Sequence, residues 1–293
     1  MTSQTIRLCM AQMTSTNRHA GNIAWMDDAA ARARAEGAQM LALPEASGLC
    51  NRIRDEALHQ VVDHENDPFI AACRAAAARH GLWIHTGSTP VAGPEKGDAA
   101  RFLNHSDLIS PDGKSVAGYD KIHLFDICLD GKPPTGESRR YRPGAQAVLA
   151  DTPWGPAGMS ICYDLRFPQL YRDYARAGAV FLFVPSAFTV PTGQAHWEVL
   201  LRARAIENGA FVIAPAQVGR HDDGRITYGH SMIVNPWGKV IADLGGDGAG
   251  LITVDLNLEE VAAARRQIPS LQNGRDYDLR HAETRANQPE PAS

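Results

Sequence analysis

No apolar run in this chain of 293 residues is long enough to span a bilayer. The longest apolar runs, such as AVFLFVP at 179–185, fall well short of the roughly 20 residues a spanning helix requires. Charge of one sign is also missing: 29 basic against 33 acidic side chains leave a formal net charge of -4, with no basic surplus for nucleic acid or an anionic membrane. Cysteine is scarce and odd in number. The five (Cys9, Cys50, Cys73, Cys128, Cys162) are widely scattered, which argues against a disulfide framework and a cysteine-rich zinc site and suits a reducing compartment. The opening MTSQTIRLCMAQM enters a strand directly and lacks a signal-peptide layout, so the expected location is the cytoplasm. Low-complexity sequence is absent until ETRANQPEPAS at the end, and residues 282–293 are expected to be a disordered tail after one domain over 1–281.

What is present is 44% hydrophobic residues arranged in short alternating segments. Strands are predicted at 6–13, 40–44, 83–88, 105–109, 157–162, 180–184, 211–217, 230–235 and 250–255, and helices at 20–36, 66–80, 168–177, 195–208 and 258–267. Gly37, Gly81, Gly178 and Gly209 each follow a helical pattern, where a left-handed cap is commonly needed. Asn257 with Glu260 reads as an N-cap with its capping-box partner. Strands and helices alternate first and the second half turns strand-rich, which predicts an α/β chain with a mixed sheet system covered by helices.

The most informative stretch is GMSICYDLRFP, 158–168. An apolar run delivers Cys162 to the end of a strand, and Pro168 opens a helix. A cysteine at such a turn is held rigidly near backbone N–H groups, as a nucleophile requires; a buried structural thiol is the alternative. Two further segments each end an extended run on one ionisable group: Glu45 in MLALPEA (40–46) and Lys121 in YDKIHLFD (119–126). Singly, Glu45 reads as a solvated loop carboxylate and Lys121 as a surface ammonium. With Cys162 they make a general base, a cation and a nucleophile, which is a chemically complete set.

The ordered combination of LPEA, YDKIHLFD and ICYDLRFP resembles the nitrilase superfamily of carbon–nitrogen hydrolases, over nearly the whole chain. The segments PSAFTVPTGQAHWEVLLRARAIENG (185–209) and YGHSMIVNPWG (228–238) are similar to its Nit branch, which includes deaminated glutathione amidase and omega-amidase; GRHDDGRITYGHSM (219–232) leans towards the former. The resemblance implies a four-layer α-β-β-α sandwich of two facing mixed sheets, and a homodimer or larger homo-oligomer associating through a helical face. It also implies a cysteine-dependent amidase that releases ammonia from a small carboxylate-bearing amide through a thioester, with deaminated glutathione as the leading substrate. Alternatives are an omega-amidase on α-ketoglutaramate-type substrates or an N-carbamoyl amino acid hydrolase; a nitrilase and a non-enzymatic interaction protein are less favoured.

In that chemistry Lys121 favours the thiolate, Glu45 accepts the thiol proton and returns it to the leaving ammonia, and Lys121 with the Tyr163 backbone N–H serves the oxyanion. No cofactor or metal is required. Glu137, in PTGESRRYRPG, matches a further glutamate of the family beside lysine and cysteine; a surface pair with Arg139 or Arg140 is the alternative. The resemblance also implies that Tyr163, Arg166, Phe188 and Thr192 line the substrate pocket. Arg166 could grip a substrate carboxylate or form a salt bridge with Asp164 or Glu198, and Phe188 could equally pack in the core.

Other features have plainer readings. The helix HWEVLLRARAIEN reads as scaffold or subunit contact, with Trp197, Leu200, Leu201 and Ala205 on one face and Arg202, Arg204 and Glu207 free for ion pairs. His123, His196 and His230 read as structural or pocket-wall hydrogen-bonders rather than as the base of a Cys–His pair, and Asp222–Asp223 as a turn. Cys50 has no assigned role. The Gly- and Pro-rich insert at 130–138 could cover the site.

Overall fold

The computed structural model describes residues 5–95, 101–128 and 135–281; the predicted tail at 282–293 and most of the 130–138 insert lie outside them. The layering follows from period-two alternation in the first strand, Thr5–Met13. Ile6, Leu8 and Met10 point into the core shared with the second sheet. Cys9, Ala11 and Met13 point the other way, under the helices His19–Ala35 and Pro68–His80. Met40 and Ala42 repeat the first direction, and Leu41 and Leu43 the second.

Among the described residues the first sheet has nine strands and the second six. Both are mixed. In the first, Thr5–Met13 runs parallel to Met40–Ala42 and, through its last residues, to Ala216–Arg220, while Gly250–Asn257 lies antiparallel along it. In the second, Ala157–Met159, Phe181–Phe183 and Phe211–Ala214 run parallel, flanked by antiparallel Leu149–Ala150 and Met232–Val234. The His85 ring stacks on Phe183 at 4.5 Å and so joins one sheet to the other. The helices Pro168–Arg176 and Val190–Asn208 cover the second sheet through Tyr171, Tyr174, Trp197, Leu201 and Ala205. The result is the helix–sheet–sheet–helix sandwich.

Three local expectations change. The run 211–217 is two strands in two different sheets, divided at Pro215, which has no N–H to donate to a ladder. The helix expected at 195–208 begins at Val190, with Pro191 in its first turn. Gly193 is required there because a Cβ would come within 2.2 Å of the Tyr228 ring. The capping box at Asn257 does not form: the helix starts at Glu259, Asn257 accepts from the Glu259 N–H at 3.1 Å, and Glu260 instead takes the Asn235 amide at 2.6 Å. Gly37, Gly81, Gly178 and Gly209 all have the positive φ expected of them.

Candidate active site

Glu45 and Cys162 each stand three residues beyond the end of a parallel strand, Met40–Ala42 and Ala157–Met159 respectively, and Lys121 follows Ser115–Asp120 directly. Carboxyl ends of parallel strands are where α/β sheets leave room for ligands. The two facing sheets supply one catalytic group or more apiece, so the site forms only when the sandwich closes.

The Glu45 turn is fixed by its own backbone. Ala46 has φ 59, and its N–H donates to Ser88 Oγ at 2.9 Å. The Glu45 carbonyl accepts from Gln217 Nε2 at 2.9 Å. Gly87, at φ +68, packs so closely that a Cβ would lie 1.9 Å from the Pro44 carbonyl oxygen. The carboxylate is buried and accepts from Lys121 Nζ at 2.9 Å and from Asn104 Nδ2 at 3.0 Å. Lys121, 2% exposed, also donates to both oxygens of Glu137, at 3.1 and 3.0 Å. The Phe125 N–H donates to the same carboxylate at 2.6 Å. Among the described residues the ion pair of Glu137 is with Lys121 and not with Arg139 or Arg140. Burial alone would strip the lysine of its proton, but Glu137 and Glu45 hold its pKa well above the usual ammonium value.

Cys162 opens a short 3-10 turn, Cys162–Arg166, at φ 51. A non-glycine residue rarely sits there, and such strain gathers at functional turns. Its N–H donates to the Pro185 carbonyl at 2.9 Å. Burial pushes the thiol well up and the nearby Glu45 carboxylate adds to this; Lys121 and the Ala187 N–H oppose. Lys121 favours the thiolate, as expected, but burial and Glu45 outweigh it. The resting sulfur keeps its proton, with Glu45 in place to take it. Among the described residues the N–H of Tyr163, second in the turn, meets no backbone acceptor.

Asp164, fully buried, is the hub of the turn. It accepts from Ile161 N–H at 2.8 Å, Tyr119 Oη at 2.6 Å and His123 N–H at 3.0 Å, with His123 Nδ1 at 2.7 Å. From the other side Arg204 clamps the Leu165 carbonyl with Nε at 3.0 Å and a terminal nitrogen at 2.7 Å. Sequence reasoning missed both roles, as it missed Asn104 and the Ala187 N–H.

Arg166 pairs with neither Asp164 nor Glu198, which is taken by Arg202 at 3.2 Å. Its guanidinium lies over the Tyr163 and Phe188 rings at 5.8 and 5.7 Å and meets His196 Nδ1 at 3.2 Å. Phe188 is buried against Trp197 at 4.7 Å. Thr192 falls in the first helical turn rather than in a loop, its hydroxyl 2.8 Å from that of Thr189. His123 stacks on Phe167 and bonds Asp164, His196 meets Arg166, and His230 faces Asp243; none of these bonds is to the Cys162 sulfur. Asp222 and Asp223 do more than turn the chain: they accept the Asn17 and Arg52 N–H groups at 3.0 and 2.8 Å. Burial pushes the Cys50 thiol up to about 11 against the pull of Arg225, whose guanidinium donates to the sulfur at 3.2 Å.

A strained cysteine, a carboxylate within reach of its proton and a buried ammonium define a cysteine hydrolase acting on carbon–nitrogen bonds other than peptide bonds. The chain belongs to the carbon-nitrogen hydrolase family, whose model matches residues 7–266. It is 43% identical over 218 residues to a deaminated glutathione amidase of Yersinia enterocolitica, covering 74% of this chain and 75% of that one. The NitFhit protein of C. elegans superposes with a TM-score of 0.86 at 36% identity, over 94% of this chain and 66% of that longer one. A mutant amidase from Nesterenkonia sp. AN1, showing covalent addition of the acetamide moiety of fluoroacetamide at its active site cysteine, superposes with a TM-score of 0.75 at 27% identity, over 92% of this chain and 94% of that one.

Proposed function

We propose that the protein hydrolyses a small carboxylate-bearing primary amide, deaminated glutathione foremost, to the acid and ammonia. The observation that carries the reading is the buried contact of Lys121 with Glu45 and Glu137, next to the buried Cys162 at its strained turn. Glu45 takes the Cys162 proton as sulfur attacks the amide carbon, and the oxyanion is received by Lys121 and the Tyr163 N–H. Glu45 then protonates the departing nitrogen, the C–N bond breaks, and a thioester remains. Water, deprotonated by Glu45, attacks the thioester; the acid leaves and the proton returns to sulfur. Glu137 keeps Lys121 charged and aimed.

Substrate choice rests on Arg166. Among the described residues no carboxylate pairs with it, and it lies over two aromatic rings, from where its fork could take a substrate carboxylate. Phe188 and Tyr163 would wall the acyl chain, with Thr192 shaping its far end. A homo-oligomer is supported by Val199, Ile206 and Trp237, which are 68%, 52% and 55% exposed on and beside the helix Val190–Asn208. Light scattering on the purified chain tests that part. Among the described residues no helix is long and apolar enough to cross a membrane, and we place the enzyme in the cytoplasm, where five free cysteines would stay reduced.

The test is ammonia release from deaminated glutathione, α-ketoglutaramate, succinamate, an N-carbamoyl amino acid and a simple nitrile, with Cys162→Ala in parallel. Turnover of deaminated glutathione above the others, lost in the variant, is expected. Preference for α-ketoglutaramate would move the enzyme to the omega-amidase reading, and wild-type turnover by Cys162→Ala would refute the mechanism.

A further inference from the structure

The strand Phe102–Ile109 has two working faces. Asn104 points inward to Glu45. His105 and Asp107, two residues apart and so together on the outward face, meet His64 from the 3-10 turn His64–Asn66. His64 Nε2 stands 2.9 Å from one oxygen of Asp107, and His105 Nε2 stands 3.6 Å from the other. All three donor atoms lie within 4.8 Å of one another. Ligand atoms on a tetrahedral zinc, at about 2.0–2.2 Å from the ion, are about 3.4 Å apart, and the two separations, to different oxygens of Asp107, are of that order.

The Asp107 oxygens have partners within the cluster, His64 Nε2 on one and Ser115 Oγ on the other, but two further features point to an ion. The remote nitrogen of each histidine is held by a carboxylate: His64 Nδ1 by Glu65 at 3.0 Å, and His105 Nδ1 by Asp120 at 2.7 Å. Carboxylates in that position fix the tautomer of a metal-binding imidazole, leaving the Nε2 lone pair forward. His105 Nε2 itself is buried and has no hydrogen-bond partner, a condition native structures seldom leave unresolved.

We propose that His64 Nε2, His105 Nε2 and an Asp107 carboxylate oxygen bind one divalent transition-metal ion of the zinc class. Two imidazoles and one carboxylate favour such an ion over calcium or magnesium, which take oxygen donors. Asp107 is 1% exposed, His105 12% and His64 29%, so the ion enters from the His64 side and keeps water there. Cys162 belongs to the inward core, which separates this ion from the hydrolytic reaction. Its part is to fasten the 64–66 turn to the strand that aims Asn104. The sequence reading foresaw no metal ligands because His64 is remote from His105 in the chain and only the fold unites them.

The test uses the untagged full chain, stripped of metal by chelation and titrated with Zn2+ by calorimetry, alongside its thermal melting with and without the ion. One Zn2+ per chain is expected, with a rise in Tm. Both should survive in Cys162→Ala, whereas affinity should fall at least about tenfold in His64→Ala and His105→Gln, with amide turnover retained in metal-free buffer. Should His105→Gln fail to fold, His64→Ala decides, since its side chain lies near the surface. Absence of stoichiometric binding, undiminished binding in His64→Ala, or loss of binding in Cys162→Ala would each overturn the assignment.

Discussion

Tyr119 donates its phenolic hydrogen to Asp164 at 2.6 Å, and that bond fastens the strand that ends at Lys121 to the turn that carries Cys162. The same carboxylate takes the His123 N–H, two residues beyond the lysine. The cation and the nucleophile are thus held to a common buried acceptor before any substrate arrives. Such preorganisation is where most electrostatic catalysis originates.

Asp164→Asn keeps the shape of the side chain but turns an acceptor oxygen into an amino group, facing donors. A loss of stability of about 2–4 kcal/mol is expected from the buried donors left unmatched. Urea unfolding measures it. Turnover should drop as well, because the turn is no longer tied to the lysine strand.

Glu137→Gln leaves Lys121 with Glu45 as its sole carboxylate. A fall in kcat of about 100-fold with little change in KM is expected, since the charge matters when the oxyanion forms. Steady-state ammonia release separates the two constants. A change confined to KM would assign Glu137 to substrate binding instead.

Arg166→Ala should raise KM for a carboxylate-bearing amide by the worth of a charged hydrogen bond, about 1.5–3 kcal/mol, while a neutral amide of the same length is unaffected. Arg166→Lys should restore little, because an ammonium cannot reproduce the planar fork of a guanidinium. Parallel KM measurements on the two substrates decide this.

His85 predicts acid sensitivity. Burial depresses its pKa from 6.5 to about 3, with Asp107 opposing only in part, and the Gly87 N–H donates to Nδ1 at 3.2 Å, a bond that needs the neutral ring. The unfolded chain therefore binds this proton first. Stability due to the neutral ring is whole above pH 6.5 and is lost as pH falls towards 3, by about 1.4 kcal/mol per pH unit for one group. Urea unfolding between pH 7 and 4 should show that slope, and His85→Phe, which keeps the stack on Phe183, should flatten it.

The positions of Glu45, Lys121 and Cys162 were legible because each closes a short strand within a distinctive motif, so local sequence marks both the side chain and its setting. Glu137 emerged through family resemblance, since its own segment reads as a polar loop. Asp164 was visible only as a possible partner for Arg166. Its actual donors come from 119–123, far away in the chain, and no local pattern records that approach. Arg204 was hidden for a similar reason: a guanidinium on a helix reads as an ion-pairing group, and its grip on the Leu165 carbonyl exists only once the helix is docked. The fold class was readable from alternating segments together with the resemblance. The crossing between sheets at Pro215 was not, because apolar residues on both sides of the proline imitate one continuous strand.

Gly87 shows how far the site extends into positions that perform no chemistry. A methyl group there would meet the Pro44 carbonyl beside Glu45.

The alternation along Phe102–Ile109 makes strand pairing itself a form of quality control. Asn104 pairs with Pro90, and His105 with Thr89, across one edge. A slip of one residue during folding would exchange the faces, bringing an imidazole to Glu45 and an amide to the place of the His105 ring. A chain paired out of register would lose its general base's partner and bury mismatched polar groups on both surfaces at once, so an inactive isomer of this enzyme would also be an unstable one, removed by unfolding before it could accumulate.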